Sequence, residues 1–144
     1  MSLRDDLYKE VILDHFENPR NFGVLNLNTF HEKGANPLCG DELELYIKMN
    51  GDIIEDISFS GKGCSISQAS GSMMTEIVKG HSKDYALTLM KKFKTAILED
   101  DEQEFTEEEG DLEALLGVKK YPVRVKCAVL AWNTLEQSFK NKEE

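Results

Sequence analysis

Three cysteines carry the chemistry most open to interpretation in this sequence. Cys39 lies in Pro37-Leu38-Cys39-Gly40-Asp41, Cys64 in Gly61-Lys62-Gly63-Cys64-Ser65, and Cys127 in Arg124-Val125-Lys126-Cys127-Ala128. A thiolate is both a nucleophile and a soft metal ligand, so a converging set could hold a metal or handle sulfur. Zinc takes four tetrahedral ligands drawn from thiolates, imidazoles and carboxylates. Asp41 stands two residues after Cys39. On a strand the two side chains would share a face, and in a loop they can still pinch one ion. A set of Cys39, Asp41, Cys64 and Cys127 would therefore be complete. Its carboxylate is a harder donor than sulfur, which suits a metal that must sometimes give up a ligand. The plainer alternative is that each cysteine is a small buried hydrophobe. Spacing does not choose between the two, because the three lie far apart and no CxxC pair marks a zinc ribbon or thioredoxin-like site. Cys64 has one further argument: it precedes a helical pattern, whose N-terminal amides favour a thiolate.

Other candidates are weaker. His15, His31 and His81 each read as surface or structural residues, since none stands beside a cysteine. No Ser/His/Asp pattern, phosphate-cradling glycine loop or dinucleotide fingerprint is present. Met73 and Met74 with Ile77 read as core.

The elements that must position the cysteines follow from hydrophobic period. Leu3, Leu7, Val11, Ile12 and Phe16 recur at helical spacing over residues 3–16, and Asn18-Pro19 stops the helix. Residues 17–38 are rich in Asn, Gly and Pro and read as loop, with room for a short strand near 24–30. Leu43, Leu45, Ile47 and Met49 alternate with Glu42, Glu44, Tyr46 and Lys48, the pattern of a half-buried strand. Asn50-Gly51 signals a type I′ hairpin. Ile53, Ile57 and Phe59 give the return strand, broken at Ser60-Gly61-Lys62-Gly63. From Ser65 the period becomes helical, with Ile66, Ala69, Met73, Met74, Ile77 and Val78 on one face and Gly80 ending it. A second helix is expected over 83–98. Thr106 to Glu109 reads as a capping box, with a short helix over about 107–116 ending at Gly117. Pro122 opens a final helix whose buried stripe is Val125, Ala128, Val129, Trp132, Leu135 and Phe139. The sum is an α+β domain, a hairpin or three-stranded antiparallel sheet packed against helices.

Composition bounds what this domain can meet. The 144 residues fit one domain, and 40% hydrophobic with 31% charged residues is an ordinary soluble composition. The formal charge of −10 argues against nucleic acid as a partner, which would call for a basic face. No apolar run reaches the ~20 residues of a membrane span, and the N-terminus lacks the pattern of a signal peptide. An odd number of cysteines fits a reducing cytoplasm rather than a disulfide framework. Residues 99–109 hold eight of the acidic residues, so the rest of the chain carries only −2. This run reads as a solvated, self-repelling connector, with a docking surface for a basic partner as the sharper alternative.

Asn36-Pro37-Leu38-Cys39-Gly40-Asp41, Gly61-Lys62-Gly63-Cys64-Ser65-Ile66-Ser67, Tyr121-Pro122-Val123-Arg124-Val125-Lys126-Cys127-Ala128 and the early Asp14-His15-Phe16-Glu17-Asn18-Pro19-Arg20 together resemble the IscU/SufU/NifU N-terminal family of iron–sulfur cluster assembly proteins. The resemblance runs from about Leu7 to Phe139 and treats residues 1–144 as one domain of SufE/NifU (IscU-like) fold, with an acidic insertion around 98–117. Within the family the SufU branch is the closer likeness. Residues 110–118 resemble its insertion, Lys126 stands where IscU-type scaffolds have a histidine, and the Leu-Pro-Pro-Val-Lys chaperone motif of IscU is absent. The resemblance implies zinc held by Cys39, Asp41, Cys64 and Cys127, and a SufS-type cysteine desulfurase as partner. It implies that a desulfurase histidine displaces Cys39, whose thiolate takes persulfide sulfur and passes it towards a SufBCD-type cluster scaffold. Arg124 resembles a family arginine near the site, with a fixed charge suited to steadying a thiolate or persulfide. The alternative within the family is a scaffold that builds and transfers a [2Fe–2S] cluster on the same ligands.

Overall fold

The structure, a computed structural model, describes residues 3–99 and 101–143, with side chains described for 7–99 and 101–140. The order is α1 (Leu3–Glu17), β1 (Phe30–Asn36), β2 (Asp41–Asn50), β3 (Ile53–Lys62), α2 (Ser65–Val78), α3 (Lys83–Leu98), α4 (Leu112–Leu115) and α5 (Pro122–Glu143). Short 3-10 turns at Glu107–Glu109 and Leu116–Lys120 flank α4. The strands form one antiparallel meander in the order β1-β2-β3. Leu43, Leu45 and Ile47 of β2 and Ile57 and Phe59 of β3 turn one face inward and are buried. Met73, Met74, Phe93 and the stripe Val125, Ala128, Val129, Trp132, Leu135 and Phe139 close over them. Trp132 stacks on Phe93 with ring centroids 5.1 Å apart. This is the expected α+β architecture.

Several local expectations are corrected. The first strand lies at Phe30–Asn36 rather than near 24–30. Its sequence is poor in strand formers, so pairing is imposed by β2 and by α5 beneath. A Cβ on Gly34 would overlap Thr134 Oγ1 and stand 3.3 Å from Leu130 Cδ1. Strand β3 runs on to Lys62, because Ser60, Gly61 and Lys62 keep pairing with Glu44, Leu43 and Glu42. The β2–β3 turn pairs Asn50 with Ile53 and has its positive φ at Gly51 alone, the signature of type II′ rather than I′. The segment expected as one helix over 107–116 tightens instead through bonds between residues three apart, from Gly110 N to Glu107 O and Ala114 N to Asp111 O.

Helix α1 is held differently from its apolar pattern. Val11 and Ile12 pack on the core, whereas Leu7 and Phe16 stay 53% and 42% exposed. The Leu3 side chain lies outside the described residues. The anchoring group is His15, which is buried, with Nδ1 at 2.8 Å from Ser72 Oγ and Nε2 at 2.9 Å from Asp111 Oδ2.

The acidic run is not a plain solvated connector. Asp100 lies outside the described residues, and Glu107 and Glu108 are exposed. Glu109, however, is buried. It accepts from Lys92 Nζ at 2.5 Å, Tyr85 Oη at 2.7 Å and Thr106 N at 3.1 Å, the last closing the expected capping box. Burial alone would raise its pKa; the bonds from Lys92, Tyr85 and Thr106 outweigh that and hold it below the ordinary 4.5. A depressed carboxyl contributes stability that is present above pH 4.5 and lost as pH falls through its folded value. Glu109→Gln is expected to cost on the order of 2 kcal/mol at neutral pH. Urea titrations should show that deficit shrinking in acid, and a pH-independent deficit would contradict the ionised clamp.

Candidate metal centre

Each predicted ligand sits where an element begins or turns. The last pair of the β1–β2 ladder is Asn36 with Asp41, so Pro37 to Gly40 form the tip of a hairpin. Cys39 N donates to Asn36 O at 3.2 Å and closes that tip. Asp41 opens β2. Cys64 is the residue capping the N-terminus of α2. Cys127 lies in the second turn of α5, its Sγ 3.6 Å from Val123 O.

These segments converge. Cys127 Sγ is 3.3 Å from Cys39 Sγ. One ligand atom from each of Cys39, Asp41 and Cys127 lies within 4.8 Å of the others. Cys64 falls outside this tightest cluster but joins it indirectly: its backbone N donates to Asp41 Oδ1 at 2.9 Å, and its thiol acts on Cys127. Exposure is graded. Asp41 and Cys127 are buried, whereas Cys39 and Cys64 are half-buried.

The donor set fits a soft divalent cation. Asp41 Oδ2 is buried with no hydrogen-bond partner among the described residues. An unpartnered buried carboxylate oxygen is costly, and a cation is its natural remedy. Burial pushes the Cys127 thiol far up, and its neighbours Asp41, Cys39 and Cys64 push it further. A bound cation inverts that logic by favouring thiolates. Three thiols and one carboxylate are the donor types that zinc accepts.

Three positioning groups were not legible as such in the sequence. Asn36 Nδ2 lies 3.7 Å from Cys127 Sγ. Ser67 Oγ donates to Cys64 O at 3.1 Å. Gly63, at φ +156°, leaves the space in which Asp41 lies; a Cβ there would overlap Asp41 Oδ1 and stand 2.8 Å from Ser67 Oγ. Only their adjacency to the cysteines hinted at such roles.

Arg124 is exposed, and among the described residues no hydrogen bond or ion pair ties its guanidinium to the thiols. It lines an apolar groove with Ile12, Leu13, Ile66, Val118 and Tyr121. The histidines stay away from the thiol cluster. His15 is structural, His31 lies on β1 rather than in a loop and stacks on Tyr46, and His81 stacks on Tyr85. His15, Glu76 and Asp111 also approach one another, but Arg20 Nε already stands 3.4 Å from Glu76.

Residues 7–141 match the family described as NifU-like N terminal domain. The chain belongs to this family. It is 47% identical over 139 residues to the zinc-dependent sulfurtransferase SufU of Bacillus subtilis, covering 96% of this chain and 93% of that one. It is 42% identical to the iron-sulfur cluster assembly scaffold protein IscU of Streptococcus pyogenes, covering 97% and 87%. A solved structure titled as a putative iron-sulfur cluster assembly scaffold protein for the SUF system, from Fervidobacterium islandicum, superposes with a TM-score of 0.82 at 40% identity, covering 90% and 93%. No helix among the described residues is long and apolar enough to cross a membrane.

The space at Gly63 gives a direct check. Gly63→Ala is expected to displace Asp41 and, if the cluster holds zinc, to weaken that binding at least ~10-fold, the usual scale for disturbed ligand support. Competition against a chromophoric chelator reads it, and unchanged affinity would remove Asp41 from the ligand set.

Proposed function

We propose that the chain is a zinc-dependent sulfur carrier in iron–sulfur cluster biogenesis. On this reading Cys39, Asp41, Cys64 and Cys127 hold the metal, and Cys39 accepts sulfur from a SufS-type cysteine desulfurase. When bound, zinc would supply a Lewis acid that keeps the thiols deprotonated and their charge compensated. The observation that supports the reading best is the buried, unpartnered Asp41 Oδ2 beside two thiols 3.3 Å apart, one of them on a hairpin tip.

Access supports the choice of Cys39. Cys127 is fully buried, and Cys64 is tied to the start of α2. Cys39 stands on a four-residue tip beside the exposed Leu38 and is closed by a single backbone bond. The Cys39 thiolate attacks the outer sulfur of the desulfurase persulfide. The bond between that sulfur and the desulfurase cysteine breaks, and the desulfurase cysteine leaves as a thiolate. Cys39 is left as a persulfide, ready for a SufBCD-type acceptor. Arg124, free of described ion pairs at the rim of its groove, would steady the incoming negative charge.

The second reading is a scaffold that assembles a [2Fe–2S] cluster on the same four ligands, favoured by the name of the Streptococcus relative. Metal content separates the two. About one zinc and no iron per chain is expected from aerobic purification. Iron with visible colour would favour the scaffold. Cys39→Ser is expected to keep the fold and abolish sulfur acceptance from a desulfurase. Arg124→Ala should slow acceptance about 10-fold, the scale of one lost charge-assisted contact. A Cys39→Ser chain that still accepts sulfur would overturn the carrier reading.

A further inference from the structure

We propose that Cys127 is a resolving thiol for a persulfide on Cys39: it closes a Cys39–Cys127 disulfide and expels the carried sulfur as hydrogen sulfide. This rests on the reading of Cys39 as sulfur acceptor. The two Sγ atoms are 3.3 Å apart. They need to close by only about 1.2 Å to reach the length of a disulfide bond.

Burial sets the direction of attack. Cys127 is fully buried, while Cys39 is half-buried on the hairpin tip. A persulfide built on Cys39 from outside has its terminal sulfur on the solvent side and Cys127 behind its inner sulfur. Attack by Cys127 Sγ on Cys39 Sγ, with sulfide leaving outward, then runs close to in line. The bond between Cys39 Sγ and the terminal sulfur breaks, and the bond between the two cysteines forms. The Cys127 proton leaves with the sulfide. The carried sulfur is reduced to sulfide and the two cysteine sulfurs are oxidised to the disulfide, so no outside oxidant or reductant enters.

Cys64 is not equivalent to Cys127. It lies outside the tight cluster, and its Sγ is 4.0 Å from Ser67 Oγ. A metal held by Cys127 keeps that thiol out of the reaction. The loaded chain therefore carries sulfur as a persulfide, and the stripped chain releases it as sulfide.

The test treats the full chain anaerobically with one equivalent of glutathione persulfide, once as purified with zinc and once after chelation. Fluorescence of Trp132, fully buried in the core, reports whether the stripped chain remains folded. Non-reducing peptide mapping of the stripped wild type should show a Cys39–Cys127 cross-link, with about one sulfide released per chain. The zinc-loaded chain should keep a Cys39 persulfide, and so should stripped Cys127→Ser. A Cys39 persulfide that persists in the stripped wild type overturns resolution and leaves the carrier reading intact. A cross-link to Cys64, or one that forms only after Trp132 fluorescence shifts to that of the unfolded chain, overturns resolution as well. Failure of every chain to take sulfur on Cys39 overturns the carrier reading and resolution together.

Discussion

Asp41 Oδ1 accepts from Cys64 N at 2.9 Å, and that bond joins the two segments that carry the half-buried thiols. It spans 23 residues of sequence and fixes the start of β2 against the start of α2. The carboxylate is buried on both sides, so its second oxygen needs a partner that the described residues do not supply. Everything near it is shaped for that demand. Gly63 has no side chain where Asp41 lies, Ser67 braces the Cys64 carbonyl, and Asn36 points its amide at Cys127. A carboxylate placed this way is unfavourable in a protein that binds nothing, because a buried charge with a free lone pair is among the costlier arrangements a fold can keep.

The remaining thiol is placed by polar contacts inside the helical layer. Ser70 Oγ of α2 donates to Ala128 O of α5 at 2.6 Å and accepts from Trp132 Nε1 at 3.1 Å. These bonds set α2 against α5, and so set Cys64 against Cys127. His15 ties α1 to α2 through Ser72 and to the start of α4 through Asp111. Glu109 does the same for the acidic segment against α3. Directional bonds in a packed interior fix relative position more tightly than apolar contact alone. That suits a cluster whose members come from three separate parts of the chain.

The strong periodic elements were legible in the sequence. Helix α3 at Lys83–Leu98 and the buried stripe of α5 follow from spacing alone, because each has one apolar face and a clear stop. Strand β1 was misplaced, since FHEKGAN pairs only because β2 and α5 hold it there. The apolar residues of α1 misled for the opposite reason: Leu7 and Phe16 have the right spacing yet remain exposed, and a histidine does the anchoring. The acidic run showed its charge but not that Glu109 turns inward, because charge content does not say which carboxylate meets Lys92. For the site, residue type named the donors, and the β1–β2 tip and helix starts follow from local signals. What no local signal carries is the approach of residues 39, 64 and 127. Resemblance supplied that expectation; in the structure donor atoms of Cys39, Asp41 and Cys127 lie within 4.8 Å of one another, and Cys64 N bonds Asp41.

Exposure divides labour among chemically similar thiols. All three are cysteines within one small region, yet their reactivity differs by what surrounds them. Cys127 is buried beside Asp41 and two further thiols, which pushes its thiol up. Cys39 stands on a hairpin tip beside exposed Leu38. Four anionic donors around one divalent cation would leave an excess of negative charge, so the last ligand is held less firmly than the first. On the proposed reading, the ligand departing at least structural cost would be the one on the hairpin tip, because Asp41 and Cys127 are locked into a strand and a helix. On that reading, the same geometry would make Cys39 both the exchangeable ligand and the acceptor, with Cys127 behind it.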